Sequence, residues 1–346
     1  MTTRREFLKV SSMFGAGLSI PTTFNIINKP SLKGPIIGHG EHRYRLDKEW
    51  GTQKPNRIPV KNCHEMIQDN SGRLILLTDH LKNNIIIYNL DGKVKDTWTL
   101  NLPGAHGLTH AEISGEEFLF ITDTEINKVY KTTLAGKVMF ELSFPRESGV
   151  YQEASQWKPT EVAVLPDGSF YVADGYGLNY ITKFSAEGEY QHHFGGKGQE
   201  NDLFDCCHGI ALDTRPGKGE ELLITSRSTQ QFKRFSLDGK HLETIDLNGC
   251  SICRPVIRDG LLYFAVIVTK DWWNYDGMVA VLDSDNNIIS LPGGTSPLYT
   301  QGGLEPPTYD GTSFMNPHDV CIDQDGNIYV PQWYSGKTYP VRLVRV

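Results

Sequence analysis

Short apolar runs separated by glycine turns recur along most of the chain. The clearest unit has runs rich in β-branched and aromatic residues at 159–164, 170–174 and 180–184, with turns at Gly168 and Gly188. Runs of this length, bounded by turn residues, are typical of antiparallel β-strands. Because the same unit returns along the sequence, the pattern predicts a propeller or solenoid.

Six units can be counted, and the last one has only three strands, ending at residues 341–344. An unassigned N-terminal run at residues 42–50 would supply its fourth strand, because closing a ring with strands from both ends removes exposed sheet edges. The sequence therefore predicts an all-β, six-bladed β-propeller over residues 40–346, with its ring closed by an N-terminal strand. The units open, in chain order, at His64, His106, Thr160, His208, Arg254 and His318.

The charge pattern narrows the class of partner. The net charge is −7, and acidic and basic residues alternate without the basic stripe that a phosphate backbone requires. Nucleic acid is therefore not expected as a partner. No segment after the N-terminus is apolar enough to span a bilayer, so no transmembrane partner is implied. The expected partner is a small-molecule, peptide or carbohydrate substrate.

The N-terminus predicts export. Arg4 and Arg5 are followed by Phe-Leu-Lys and by a weakly apolar segment, residues 10–20, which ends at Pro21. This is the pattern of a twin-arginine signal, and we assign residues 1–30 to the signal and a linker. A basic amphipathic helix is the alternative. The expected location is periplasmic or extracellular, and a retained N-terminal anchor stays open because no clear cleavage site follows.

Four histidines share one position in the repeat. In a propeller the first strand of each blade lines the central channel, so His64, His106, His208 and His318 are expected to converge there. Each could instead cap a strand and bind neighbouring backbone groups. The recurrence favours a metal site, because imidazole is the commonest metal ligand and three or four rings could hold zinc or another divalent transition metal.

The units resemble NHL repeats, and the order of their motifs resembles the catalytic domain of peptidyl-α-hydroxyglycine α-amidating lyases over roughly residues 60–346. The resemblance carries over through an H-G-L motif at His106, a second histidine at His208 and a P-H-D motif at His318. It implies that these three residues bind a catalytic zinc. His64 would add a fourth axial histidine.

The same resemblance implies roles for four further residues. A D-G-Y motif places Tyr176 at the reacting hydroxyl, and Arg227 stands where the family has an arginine that faces the site. Tyr176 would act as acid or base, with its pKa lowered by the ion and by Arg227. Without the resemblance, Tyr176 could equally be a packing aromatic. A second, calcium-like ion would be held by Asp319 and by the backbone of Leu108.

The chain departs from the family pattern at several positions. A second active-site arginine is missing from the first blade, where residues 77–80 read Leu-Thr-Asp-His. Gly177 stands in place of a disulfide cysteine, and Asn316 in place of a methionine. Because the arginine is missing, a hydroxylated or carbohydrate substrate other than a peptidyl hydroxyglycine is expected.

Large aromatic residues follow the second strands of the last two units. Trp272, Trp273 and Trp333 are candidates to stack on sugar or planar substrate groups. Packing between adjacent blades is an equally good interpretation.

Three hypotheses for function follow from these features. The first is a secreted metal-dependent enzyme of lyase or hydrolase type, and the second is a non-catalytic NHL propeller that binds a protein or glycan. The third is a redox or copper protein that uses Cys206, Cys207 and the histidines. Cys63 and Cys207 lie beside axial histidines, where each could be a ligand or a small buried hydrophobe. Metal content separates the first two hypotheses.

Overall fold

The computed structural model describes residues 33–271, 274–301 and 303–346. In this part of the chain six antiparallel sheets form the blades of a β-propeller, as predicted. The first strands of neighbouring blades contact one another and surround the central axis. None of the helices described is long and apolar enough to cross a membrane.

Blades 1–4 are four-stranded meanders that run from the axis to the rim. Blade 1 comprises Cys63–Gln68, Leu74–Thr78, Ile85–Tyr88 and Val94–Trp98. Blade 2 comprises Ala105–Ile113, Glu116–Asp123, Lys128–Thr133 and Val138–Leu142. Blade 3 comprises Glu161–Val164, Phe170–Ala173, Tyr180–Phe184 and Tyr190–Gly195. Blade 4 comprises Ile210–Asp213, Glu221–Ser226, Gln231–Ser236 and His241–Asp246.

Blade 5 has a divided inner strand, because Pro255 interrupts it and cannot donate a ladder hydrogen bond. Its two halves, Ser251–Ile252 and Val256–Arg258, both pair with Leu261–Val268. The blade continues through Met278–Leu282 and Ile288–Ser290. Three short elements lie outside the blades: the 3-10 helices Arg146–Ser148 and Ala154–Gln156, and a hairpin of Tyr299–Thr300 with Gly303–Leu304.

Blade 6 is built from both ends of the described chain. Its inner strands are Cys321–Ile322, Ile328–Val330 and Val341–Arg345. His42–Asp47 then pairs with Val341–Arg345 and closes the ring, which confirms the predicted closing strand, although it ends at Asp47. A fifth strand, Ile36–His39, pairs with the outer side of His42–Asp47 and was not predicted.

The hydrophobic core lies between adjacent blades. Leu74–Thr78 and Ile85–Tyr88 are buried along their whole length, because both faces of these middle strands meet neighbouring blades. One cluster joins Tyr171 of blade 3 to Leu222 of blade 4. This packing fixes the inner strands, and therefore the residues that open them, around the axis.

Candidate functional site

Four buried histidines meet at the axis. One ring nitrogen from each of His64, His106 and His318 lies within 4.8 Å of the corresponding nitrogens of the other two. His208 joins the group through its Nε2 atom, 3.1 Å from Nε2 of His106. The sequence therefore identified four side chains that the fold brings into one cluster.

Backbone carbonyl groups orient two of these rings. His106 Nδ1 lies 2.9 Å from the carbonyl oxygen of Thr160, and His318 Nδ1 lies 3.0 Å from that of His64. A carbonyl oxygen only accepts, so each Nδ1 carries the proton and each Nε2 presents a lone pair. The Nδ1 atoms of His64 and His208 are buried without a protein partner. This arrangement fits a metal ion that is bound by imidazole nitrogens.

Burial keeps the cluster neutral. It lowers the pKa of His64 to about 3, with Lys61 and Arg227 acting in the same direction. Burial also holds the pKa of His106, His208 and His318 well below the usual value. The imidazoles are therefore in the uncharged form that binds metals at neutral pH.

Tyr176 and Arg227 border the histidine cluster. The Tyr176 hydroxyl lies 3.2 Å from Nε2 of His106, and Nη1 of Arg227 donates to that hydroxyl at 3.3 Å. Arg227 is held in place because its Nε donates to the carbonyl oxygen of Ile252 and its Nη2 to Sγ of Cys253. A fixed positive charge therefore stands beside a hydroxyl at the edge of the cluster.

The protein environment keeps the Tyr176 phenol protonated. Burial of the hydroxyl raises the pKa of Tyr176 to about 12, while Arg227 acts in the opposite direction. The sequence-based expectation of a lowered pKa therefore does not follow from Arg227 alone. With its proton in place, the hydroxyl is a donor at neutral pH.

The D-G-Y turn holds Tyr176 at this position. The Asp174 carboxylate accepts from the backbone N–H of Leu178 at 2.7 Å and from the hydroxyl of Tyr151 at 3.0 Å. A Cβ at Gly177 would lie 2.1 Å from Oδ1 of Asp174, so only glycine fits against this carboxylate. The turn is therefore braced directly behind Tyr176.

An acidic side chain occupies the first-blade segment from which the family arginine is missing. Asp79 is buried, and its Oδ2 lies 4.0 Å from Nε2 of His64 and 3.3 Å from Nζ of Lys61. It also accepts from the backbone N–H of Asn62. The missing arginine was recognisable in the sequence, whereas the position of Asp79 beside the histidines was not predicted.

The residues predicted to hold a calcium-like ion do not fit one as they are arranged here. Both carboxylate oxygens of Asp319 accept from Arg254 at 2.8 Å, and the carbonyl oxygen of Leu108 accepts from Nη1 of the same arginine at 2.8 Å. The guanidinium group lies between the two predicted ligands. The predicted ion site at Asp319 and Leu108 stays a prediction, and in this arrangement both predicted ligands already accept hydrogen bonds from Arg254.

The proposed aromatic platform is only partly described. Trp272 and Trp273 lie outside the described residues, so their predicted role stays a prediction. Trp333 is partly buried and packs against the hydrophobic cluster of blades 5 and 6, with its ring centroid 5.4 Å from that of Tyr334. This contact agrees with the packing interpretation of Trp333, and a role in substrate binding stays a prediction.

The cysteines near the histidines lie mainly in apolar surroundings. Cys63 and Cys207 belong to two hydrophobic clusters, and burial raises the pKa of both thiols. A raised pKa disfavours the thiolate that binds metals.

Cys253 occupies the opening position of blade 5. The Thr225 hydroxyl donates to the Cys253 carbonyl, as the Thr122 hydroxyl donates to the carbonyl of Thr160, which opens blade 3.

The fold and the site together define a six-bladed β-propeller with a neutral histidine cluster at its axis. No known family profile matches the chain. It is 27% identical to peptidyl-alpha-hydroxyglycine alpha-amidating lyase 1 of Drosophila melanogaster over 266 residues, which are 70% of this chain and 45% of that protein. It is 23% identical to human NHL repeat-containing protein 3 over 204 residues, 56% of this chain and 57% of that protein.

These matches confirm the predicted resemblance to NHL repeats and to the amidating lyases. The chain spans about half the length of these two curated relatives. A gluconolactonase from Xanthomonas campestris has a TM-score of 0.60 at 13% identity, with 91% of this chain and 95% of that chain covered. A virginiamycin B lyase from Staphylococcus aureus has a TM-score of 0.55 at 14% identity, with 83% and 96% covered. At such identities the likeness shows the fold alone.

Proposed function

We propose that this protein is a secreted, metal-dependent propeller enzyme of the lyase or hydrolase type. His106, His208 and His318 would hold a zinc-like divalent ion, with His64 as a further ligand. The observation that carries the proposal is the convergence of four neutral imidazoles, two of which have their Nε2 lone pairs set by backbone carbonyls. A divalent ion in such a site makes a bound hydroxyl or water more acidic and polarises a carbonyl or hemiaminal oxygen.

The residues beside the cluster supply proton transfer. Tyr176 carries its proton at neutral pH and can donate it to a leaving or developing oxygen of the substrate. Arg227 then stabilises the phenolate through the hydrogen bond that it already makes to Tyr176. Because Arg227 is anchored to backbone and to Cys253, its charge is in place before the reaction begins.

The charge around the cluster favours a neutral hydroxylated substrate. Asp79 places a carboxylate next to His64, in the blade where an arginine of the amidating lyases is missing. This carboxylate already pairs with Lys61, so the first blade offers an anionic substrate group no counter-charge in place of the missing arginine. A neutral hydroxylated amide or a carbohydrate therefore fits better than a peptidyl hydroxyglycine, which carries a free carboxylate.

The proposed location follows from the N-terminal sequence. Residues 1–30 lie outside the described residues, and the twin-arginine pattern there is the support for export. Export of an already folded chain suits a protein that binds its ion before it leaves the cytoplasm.

Elemental analysis of the purified full-length protein tests the metal site. We expect about one transition-metal ion per chain, and its loss from the His106→Ala, His208→Ala double variant. The matched control replaces His192 and His193, two outer-strand histidines of blade 3, and should retain the ion. Retention of the ion by the axial variant would contradict the proposal. A folded wild-type protein without metal would favour the non-catalytic binding propeller.

Two matched substrates test the expected preference for a neutral group. An N-acyl-α-hydroxyglycine and its carboxamide differ at one group only, which is an anionic carboxylate in the first and a neutral amide in the second. If Asp79 disfavours the anion, the carboxamide has the higher kcat/KM, and Asp79→Asn narrows the difference. A higher kcat/KM for the carboxylate form would contradict this part of the proposal.

A further inference from the structure

A buried arginine fills the axis next to the histidine cluster. The Nε and Nη2 atoms of Arg254 each donate to Asp319 at 2.8 Å. Nη1 donates to the carbonyl oxygen of Leu108 at 2.8 Å, and Nη2 to that of Met66 at 3.0 Å. One side chain of blade 5 thus binds blades 1, 2 and 6, and it is only 8% exposed.

Two more buried carboxylates face the same guanidinium group. Nη1 of Arg254 lies 3.0 Å from Oε2 of Glu65 and 3.5 Å from Oε2 of Glu161. Both glutamates are 1% exposed. Buried carboxylates are costly without a counter-charge, and Arg254 is the cation that contacts all three. With Asp319, these residues form an axial carboxylate cluster.

The repeat architecture builds this cluster. In each of the four contributing blades the charged residue directly follows the one at the opening position. Blades 2 and 4 have glycine at this point instead, and a Cβ at Gly209 would lie 2.4 Å from Cα of Arg254. Glycine therefore leaves the space through which Arg254 passes. The residues at this position are Glu65, Gly107, Glu161, Gly209, Arg254 and Asp319.

We infer that Arg254 is the permanent cation of the axial carboxylate cluster and takes the position that a divalent ion such as calcium would otherwise occupy. Its side chain also separates the histidines from the opposite mouth of the channel. A cavity of about 480 Å³ at that mouth has Arg254, Gln68 and Arg258 in its lining, which includes none of the axial histidines. Tyr176 contacts the histidine cluster and is 42% exposed, so the histidine site is reached from the face that carries Tyr176.

The unmodified protein provides the first test. Full-length protein is dialysed against millimolar calcium chloride, then against calcium-free buffer, and its calcium content and Tm are measured. We expect no stoichiometric calcium and a change in Tm within about 1 °C when calcium is added, because the site is already filled. One bound calcium per chain together with a raised Tm would overturn the inference.

Arg254→Met provides the second test, because it keeps a long apolar side chain and removes the charge. The variant leaves three carboxylates and two carbonyl oxygens without a cation, and oxygen ligands of this kind bind calcium. We expect Tm to fall on the order of 10 °C and to recover partly in millimolar calcium. Arg258→Met, at the same mouth and paired with Asp259 at 3.5 Å, is the control and should show no calcium response.

The stability of Arg254→Met decides the second test. A Tm equal to that of the wild type would overturn the inference, and so would a change in Tm on adding calcium equal to that of Arg258→Met. If Arg254→Met gives no folded protein, the calcium analysis of the unmodified chain decides alone. The inference does not depend on the proposed function, because elemental analysis reports calcium and the transition metal separately.

Discussion

Single hydrogen bonds decide what each axial residue offers to a ligand. Blade 3 has Thr160 where four other blades have histidine, so it contributes no imidazole. Its backbone carbonyl instead accepts from His106 and fixes the tautomer of that ring. The exception in the repeat therefore orients a neighbouring histidine, as carbonyl groups that bond to metal-binding imidazoles do.

Tyr176→Phe should separate proton transfer from metal binding. The substitution removes only the hydroxyl that contacts His106 and Arg227. We expect kcat to fall about 10²–10⁴-fold on the better of the two test substrates, with the metal content unchanged. Tyr190→Phe, on the outer strand of blade 3, is the control and should keep wild-type kcat. Full activity of Tyr176→Phe would assign the phenol to packing.

The sequence located the axial histidines but not all of the charged residues beside them. The histidines were recognisable because His64, His106, His208 and His318 share a repeat position. Arg254 was missed as an axial charge because the degenerate fifth unit was counted as opening at Arg254, whereas Cys253 holds the opening position. The residue directly after the opening position is charged in four of the six units, and comparing that position across the units would have shown this. That Arg254 pairs with three carboxylates depends on blade geometry, which a linear repeat does not specify.

Hairpin turns repeat one hydrogen-bonding device from blade to blade. The side-chain oxygen of Asp69 accepts from the backbone N–H groups two and four residues later, and Asp283 and Asp323 do the same. Such side-chain bonds satisfy turn N–H groups that the strands leave unpaired. They explain why acidic residues recur at the start of the turns between the predicted strands.

Asp69→Asn tests this device through its pH dependence. Burial raises the pKa of Asp69, but hydrogen bonds from Arg73 and Ser71 outweigh burial and hold the pKa below its ordinary 3.8. Because the folded pKa is lowered, this stabilisation is present above pH 3.8 and is lost as pH falls through the folded pKa. In Asp69→Asn the free energy of unfolding should therefore fall less steeply as pH decreases in the acid range. Urea titrations at a series of pH values measure this dependence.

Glu116→Gln, an exposed change in blade 2, is the control and should keep the wild-type acid limb. If the free energy of unfolding of Asp69→Asn falls as steeply with decreasing pH as that of the wild type, other carboxylates account for the acid sensitivity.

Strands with strong alternation or continuous apolar runs were predictable, and weakly patterned strands were not. Ile36–His39 was not predicted because its side chains are exposed or only partly buried, so the segment has little hydrophobic periodicity. The divided inner strand of blade 5 was not predicted because Cys253, Arg254 and Pro255 interrupt its pattern of apolar residues. In both cases pairing with a neighbouring strand determines the element.

At the scale of the whole molecule, ring closure depends on one strand near the N-terminal side. Leu46 is 3% exposed and lies opposite Leu343 in the closing pair, whereas Arg43 faces outwards. Leu46→Ala should lower the free energy of unfolding by about 2–5 kcal/mol, measured by denaturant titration. Arg43→Ala should change it by less than about 0.5 kcal/mol. Equal effects of the two changes would show that the closing strand contributes little to stability.

Blade number was predictable because six opening positions can be counted. The gluconolactonase and the virginiamycin B lyase have similar propeller folds at 13% and 14% identity. Function in such a scaffold depends on the residues at the axis. Here the histidines, Tyr176 and Arg227 were singled out from sequence as site residues. The axial residues that were not singled out are Asp79, Glu65, Glu161 and Arg254.

The composition of blade 6 has a consequence for the order of events during synthesis. Blades 1–5 are each made of consecutive strands, so each can pair soon after it leaves the ribosome. His42–Asp47 precedes blades 1–5 in the chain, yet its partner Val341–Arg345 follows them, and the Asp47–Arg342 contact spans 295 residues. Until Val341–Arg345 has been synthesised, one edge of His42–Asp47 stays unpaired and open to chaperones or to other chains.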